Sequence, residues 1–332
     1  MGAAEGRARG MAMHRESGGE TFLEALAPER LGRNAQLERI AAQVDWAPLA
    51  AIVSVIYDAP RGRPAYPPLL MVKALLLREW YDLSDEELEA ALWDRISFRR
   101  FVGLGLDEDA PDRSTVSRFR GQLVRRGLAP RLFAALNRQL EARGLVVKQG
   151  ALLDATLVEA QVRRPGADAG LGARSPRDPD ASWTRKRGRA HFGYQAHLGV
   201  DQGSGLVRRA ELHPAHVNET AVADALIVGD ERAVYADRAY EDRSRRERLR
   251  AAGVKDRISH RRNKHVARLP HWQQRRNAGI ERRRSAVERV FATLKQHYGY
   301  RRVRYRGLER NALELLFKCM AYNLRRADAL LA

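Results

Sequence analysis

Residues 150–160 read GALLDATLVEA, and the acid in the middle of this apolar run decides the fold. Leu152, Leu153, Ala155, Leu157 and Val158 make a β-rich stretch with Asp154 inside it. A buried charge must be paired, hydrogen-bonded or bound to metal. A second run, RAVYAD (232–237), reads as a short buried strand ending on Asp237. A carboxylate at the C-terminal end of a buried strand lies where α/β sheets place their ligands. Either aspartate taken singly also fits a turn or helix cap, and the residues alone leave both readings open.

Working outward, FGYQAHLGVD (192–201) and GLVRRAELHP (205–214) are strand-like, and Gln202-Gly203-Ser204 between them suits a hairpin turn. Val217–Val228 and Glu241–Ala252 read as helices, Ile280–Gln296 as a strong amphipathic helix, and Leu308–Leu331 as a packing helix. Residues 162–190 are rich in Gly, Pro and Arg without periodicity, which predicts a flexible basic loop. Upstream, the pattern is helical. Pro67 and Pro68 open an apolar segment, Ser84 and Glu87 form a capping-box pair, and Asp112 or Ser114 caps TVSRFRGQLVRRG (115–127). The expected class is α+β: a flexible segment at 1–33, an all-helical domain at 34–146, and a mixed β-sheet core with flanking helices at 147–332.

At 332 residues and 44% hydrophobic content the chain is long and apolar enough for two cored domains. No run approaches the roughly 18 apolar residues of a membrane span, and the N-terminus lacks the apolar core of a secretory signal. A cytoplasmic, nucleoid-associated location is expected. Cys319 is the only cysteine, which excludes an internal disulfide and a Cys-based zinc site. The net charge is +19 and it is concentrated. Asp256–Arg310 holds 17 Lys/Arg against 4 Asp/Glu, and Arg163–Arg189 holds 8 against 3, so these two segments carry all but one of the net positive charges. So local an excess is a polyanion footprint, and nucleic acid is the expected partner.

The third acid is Glu288. On the helix from Ile280, residues Val287, Val290, Phe291 and Leu294 make one apolar stripe. At about 100° per residue, Arg284, Glu288 and Lys295 fall within roughly 40° of one another along its edge. An ordinary Arg284–Glu288 surface pair would look the same. Phosphodiester transfer needs an activated attacking oxygen and a stabilised leaving oxygen, which two divalent ions can supply. Mg²⁺ (or Mn²⁺) takes hard oxygen ligands, so Asp154, Asp237 and Glu288 would suffice, with Arg284 and Lys295 facing the phosphate. His191, His197, His213 and His216 are not read as ligands.

With these residues in view, the chain resembles the DDE transposases of insertion-sequence family five and their family-four relatives, over most of residues 35–328. LLDATLVEA resembles the first catalytic strand, FGYQAHLGVD and HVNET the segment after it, YADRAYED the second block, and RRRSAVERVFATLKQHYGYRRVRYRGLERN the third. In the third block the family places a tyrosine, then arginine, glutamate and lysine. Arg284, Glu288 and Lys295 fit, whereas Glu281 stands where the tyrosine often is. YPPLLMVKALLL, LSDEELEAALWDRISFRRFVGL and DRSTVSRFR resemble the family's N-terminal domain.

The resemblance implies an RNase H-like core with a two-ion catalytic triad of Asp154, Asp237 and Glu288. It implies cleavage of transposon ends and transfer of the 3′-hydroxyl into target DNA, with two ends held by a homodimer. The helical domain would read the ends. Thr115, Ser117, Arg118 and Arg120 lie near the start of a candidate recognition helix, which also fits an ordinary bundle helix with a solvated face. Arg185, Lys186, Arg187 and Arg189 in the loop would meet DNA. So would Arg301, Arg302, Arg304 and Arg306, interleaved with Tyr298, Tyr300 and Tyr305. The alternative is a repurposed or inactive DNA-binding derivative of a transposase.

Overall fold

The structure, a computed structural model, describes residues 30–56, 65–165, 174–186, 188–262 and 268–332. The expected flexible segment at 1–33 lies outside these except for residues 30–33, as does Arg187. The chain divides into two compact units: residues up to Arg78 with Leu83–Leu132, and Glu79–Asp82 with Phe133–Ala332. The division falls inside the helix Leu128–Ala142.

The first unit is helical: α1 (Ala35–Gln43), α2 (Ala47–Val53), α3 (Pro68–Trp80, its last two residues counted with the second unit), α4 (Asp85–Asp94), α5 (Ile96–Val102) and α6 (Arg113–Arg125). Capping fixes where these helices start. Asn34 accepts from Leu37 N–H at 3.1 Å. Ser84 and Glu87 close the reciprocal capping box, and Asp112, not Ser114, caps α6 through Thr115 N–H. Leu49, Val53, Leu88, Val116, Phe119 and Leu123 are buried in the core.

The second unit is built on six strands: β1 (Ala151–Glu159), β2 (Ser182–Lys186), β3 (Arg189–Asp201), β4 (Val207–Pro214), β5 (Ala233–Ala236) and β6 (Lys255–Ile258). The order is β2-β3-β1-β5-β6, with β4 also on β3. β1, β2 and β4 run antiparallel to β3, while β5 runs parallel to β1 and to β6. Around the sheet stand α7 (Leu128–Ala142), the single turn α8 (Glu219–Val222), α9 (Arg243–Ala251), α10 (His271–His297) and α11 (Leu308–Leu331). The result is an α+β protein with a mixed, RNase H-like sheet. Gly193 is required where β3 passes β1, because a Cβ there would lie 2.2 Å from Val158 O. The buried Lys318 of α11 is satisfied by Glu79 at 2.6 Å, Glu314 at 3.5 Å and the Tyr298 carbonyl at 2.6 Å.

Three local expectations need correction. Residues 182–186 were expected as loop but form β2, and the chain before them is anchored: Asp178 is fully buried and accepts from the Tyr194 hydroxyl at 2.6 Å. The helix expected over Val217–Val228 is only one α-turn followed by a 3₁₀ turn to Leu226. Arg245 takes the Thr220 carbonyl at 2.7 Å, an acceptor that a continuing helix would need. Conversely α10 begins nine residues before the expected Ile280. Its first turns lack an apolar stripe; Arg276 ties them to the β6 carbonyls of Asp256 and Ile258 at 2.7 and 2.8 Å.

Candidate active site

The β1–β5 register brings two acids together. Ala151 pairs with Val234 and Leu152 with Tyr235. Asp237 is still extended, at φ −79° and ψ 178°. Each aspartate follows two residues after the Leu152–Tyr235 pair, so the same register carried forward brings Asp154 and Asp237 to one end of the strand pair. Asp154 is half-buried and 2.9 Å from Arg284 Nη1 on α10. Burial pushes the Asp154 carboxyl above its usual range, the Asp237 charge adds to this, and Arg284 opposes it. Asp237 Oδ1 accepts from Ala239 N–H at 2.8 Å, capping the 3₁₀ turn Arg238–Tyr240.

Glu288 does not meet them. It is exposed on α10 and makes no ion pair or hydrogen bond with any described residue. It lies one turn beyond Arg284, and Lys295 two turns further on donates to Leu157 O at 3.2 Å. The edge of α10 bearing all three therefore runs along β1, with Glu288 pointing to solvent between two anchored cations. Burial lowers the pKa of Lys295, and the Lys186 and Arg301 charges lower it further.

Two further groups stand at the aspartate pair: Glu219, which the sequence reading passed over, and Tyr240, which it noted only as fitting the family's second block. Glu219, in HVNET, has a side chain 15% exposed and accepts from Gln195 Nε2 at 2.7 Å, with Lys186 Nζ at 3.8 Å. Burial raises its pKa, and the Asp237 and Asp154 charges add to this. Tyr240 is fully buried and its hydroxyl has no hydrogen-bond partner among the described residues. Both sit inside quoted motifs; only the tertiary fold reveals their approach to Asp154.

Beside the pair opens a cleft of about 1070 Å³ lined by Asp237, Glu241, His260, Arg261, Arg262 and Arg284. A second, of about 930 Å³, follows the C-terminal half of β1 and is lined by Lys186, Arg189, His191, Lys295 and Arg301. Among the basic residues expected to meet DNA, Arg118, Arg185, Lys186, Arg189, Arg301, Arg302 and Arg306 are exposed. Two are not free to do so. Arg120 is buried in a two-pronged pair with Asp85 at 2.9 and 2.8 Å, and Arg304 is held by Asp82 and Glu314. Tyr298 and Tyr300 are core residues, 1% and 0% exposed, so they are no stacking platform. His197 is buried against His213, whose ring lies 5.6 Å away edge-on.

Among the described residues no three His, Cys, Asp or Glu side chains converge closely enough to hold an ion as they stand. Each acid is turned to a protein partner instead: Asp154 to Arg284, Asp237 to Ala239 N–H, Glu219 to Gln195. The donor set is nonetheless suited to Mg²⁺: hard carboxylate oxygens from separate elements, beside an orphaned buried hydroxyl at Tyr240.

The mixed sheet with flanking helices is that of an RNase H-like domain, and the family comparison sets the class. The family model described as "Transposase DDE domain" matches residues 147–324, and one described as "Transposase domain (DUF772)" matches residues 26–122. The chain belongs to the DDE transposases of insertion-sequence type. No solved structure matches it. Membership implies DNA as partner and divalent metal in general. Among the described residues no single helix is long and apolar enough to cross a membrane.

Proposed function

We propose that this chain is an insertion-sequence transposase of the family-five kind, which cuts at the element's ends and joins the released 3′-hydroxyl to target DNA. What supports this is the parallel pairing of β1 with β5, Leu152 against Tyr235, each two residues before an aspartate, Asp154 and Asp237. Asp154 and Asp237 would hold the metal, two Mg²⁺ or Mn²⁺ ions in the full reading, with Glu288 turning in from α10. When bound, the ions activate the attacking oxygen and stabilise the leaving one. Arg284 neutralises Asp154 in the absence of a cation; released, its guanidinium reaches a phosphate in the adjoining cleft. Lys295 holds a second charge at the Leu157 carbonyl, oriented along the DNA backbone. Arg185, Lys186, Arg301, Arg302 and Arg306 extend that track, and Arg187 is assigned with them. The helical domain, through Arg118 on α6, reads the ends. A homodimer holds two of them together.

The competing reading is a DNA-binding derivative without strand transfer. The Arg284–Asp154 pair favours it, since it occupies the carboxylate that a metal needs. One experiment decides. Asp154→Asn should fold and bind end-containing DNA as the wild type does, yet lose Mg²⁺-dependent cleavage of it. Cleavage that survives in this variant rules out the assignment; wild-type protein that binds but never cleaves supports the derivative.

A further inference from the structure

Two groups facing the aspartate pair stand outside the proposed triad. Glu219 is held there by its backbone. Thr220 Oγ1 donates to Ala239 O at 2.5 Å, fastening the Glu219 turn to the turn after Asp237. Arg245 Nη2 donates to Thr220 O at 2.7 Å, and its Nη1 donates to Tyr240 O at 2.7 Å, so one guanidinium clamps both turns. The carboxylate so positioned is close enough to Asp237 and Asp154 for their charges to raise its pKa. Like charges gathered in a half-buried place disfavour their own ionisation unless a cation joins them.

Tyr240 supplies an independent sign of a ligand. Its hydroxyl is buried without a partner, and the charges acting on it most are Glu219, Asp154 and Asp237, in that order. Its ring packs in the buried cluster with Leu153 and Ala236, chain neighbours of Asp154 and Asp237, and with Val222 of the Glu219 turn. A buried donor left unmade is costly and calls for an acceptor that the protein alone does not provide.

We propose that Glu219 is a further carboxylate ligand of the divalent ion at Asp154 and Asp237, and that the Tyr240 hydroxyl donates to an oxygen held among the three acids. The inference rests on the aspartate pair being the metal site. It assigns a ligand from the turn Glu219–Val222, a different element from the helix α10 that carries Glu288. In the DNA-free chain, where Glu288 faces solvent, Glu219 would be the third ligand once an ion draws the three acids from their protein partners.

The test is Mn²⁺ binding to the full chain without DNA, followed by the loss of the free-ion paramagnetic resonance signal. Circular dichroism checks each fold. Glu219→Gln keeps an acceptor for Gln195 and should weaken Mn²⁺ binding by at least about tenfold, as Asp154→Asn does. Glu288→Gln should change it less. Tyr240→Phe should bind within a few-fold of wild type but alter the water proton relaxation of the bound Mn²⁺. Should Glu219→Gln fail to fold, Glu219→Asp asks the same question, because a retracted ligand weakens binding while a merely structural acid does not. Wild-type binding by the Glu219 variant, alongside loss in Asp154→Asn, overturns the role of Glu219 and leaves the aspartate site standing. Undiminished binding in Asp154→Asn overturns the site itself, and Glu219 with it.

Discussion

Acidification should weaken the catalytic unit through one buried imidazole. His197 is 0% exposed on β3, between Ala155 of β1 and Glu211 of β4. Neither ring nitrogen has a hydrogen-bond partner among the described residues. Burial lowers its pKa from 6.5 to about 3, with the His213 and Lys186 charges adding to the shift. The folded chain therefore keeps His197 neutral, while the unfolded chain protonates it below pH 6.5. Stability is full above pH 6.5 and falls as pH drops toward 3, because the unfolded state binds the extra proton. Between pH 7 and pH 5 the loss from this group is about 2 kcal/mol. The assay is urea unfolding of wild type and His197→Phe at several pH values. Phenylalanine keeps a ring against His213, and the difference between the two proteins cancels every other titrating group. The gap should close or reverse by about 2 kcal/mol on going from pH 7 to pH 5. Parallel pH dependences would refute the buried neutral imidazole.

Other outcomes follow from the ion pairs. Lys318→Met removes the buried cation held between Glu79 and Glu314, and should cost about 3–5 kcal/mol in chemical denaturation; restoring most of that by adding Glu79→Gln would locate the loss in the pair. Arg120→Ala should destabilise the helical unit, as read by its melting, without changing the salt dependence of DNA binding, because Arg120 is spent on Asp85. Arg301→Ala should do the reverse, leaving the melt alone and lowering the salt slope by about one.

What the sequence revealed and what it hid have a common physical cause. Signals confined to neighbouring residues were legible. The Ser84–Glu87 box, the Asp112 cap and the hairpin at 202–204 are set within a few residues, and the chain forms them. Asp154 and Asp237 stood out because a charge in an apolar strand is anomalous before any fold is known. Glu219 and Tyr240 carried no such anomaly. A glutamate in a polar turn and a tyrosine three residues after Asp237 are ordinary residues until Thr220 and Arg245 bind their two turns together. The same limit explains the arginines. Exposure cannot be read from identity, so Arg120 and Arg304 looked like Arg118 and Arg301, and only the carboxylates of Asp85, Asp82 and Glu314 separate the two kinds.

Glu288 is the instructive case. Periodicity placed it correctly on the α10 edge that runs along β1, between Arg284 and Lys295. Periodicity fixes an azimuth but not a side chain's reach, and in the DNA-free chain nothing draws this one inward. Arg284 already neutralises Asp154, so an added carboxylate there would gain no partner and lose its hydration. The triad is thus expected to form only once that guanidinium has another anion to bind. A DNA phosphate is such an anion, which couples DNA binding to the entry of Glu288 into the metal site. On this reasoning Glu288→Gln affects Mn²⁺ affinity mainly when end DNA is present, whereas Glu219→Gln affects it in the free chain as well.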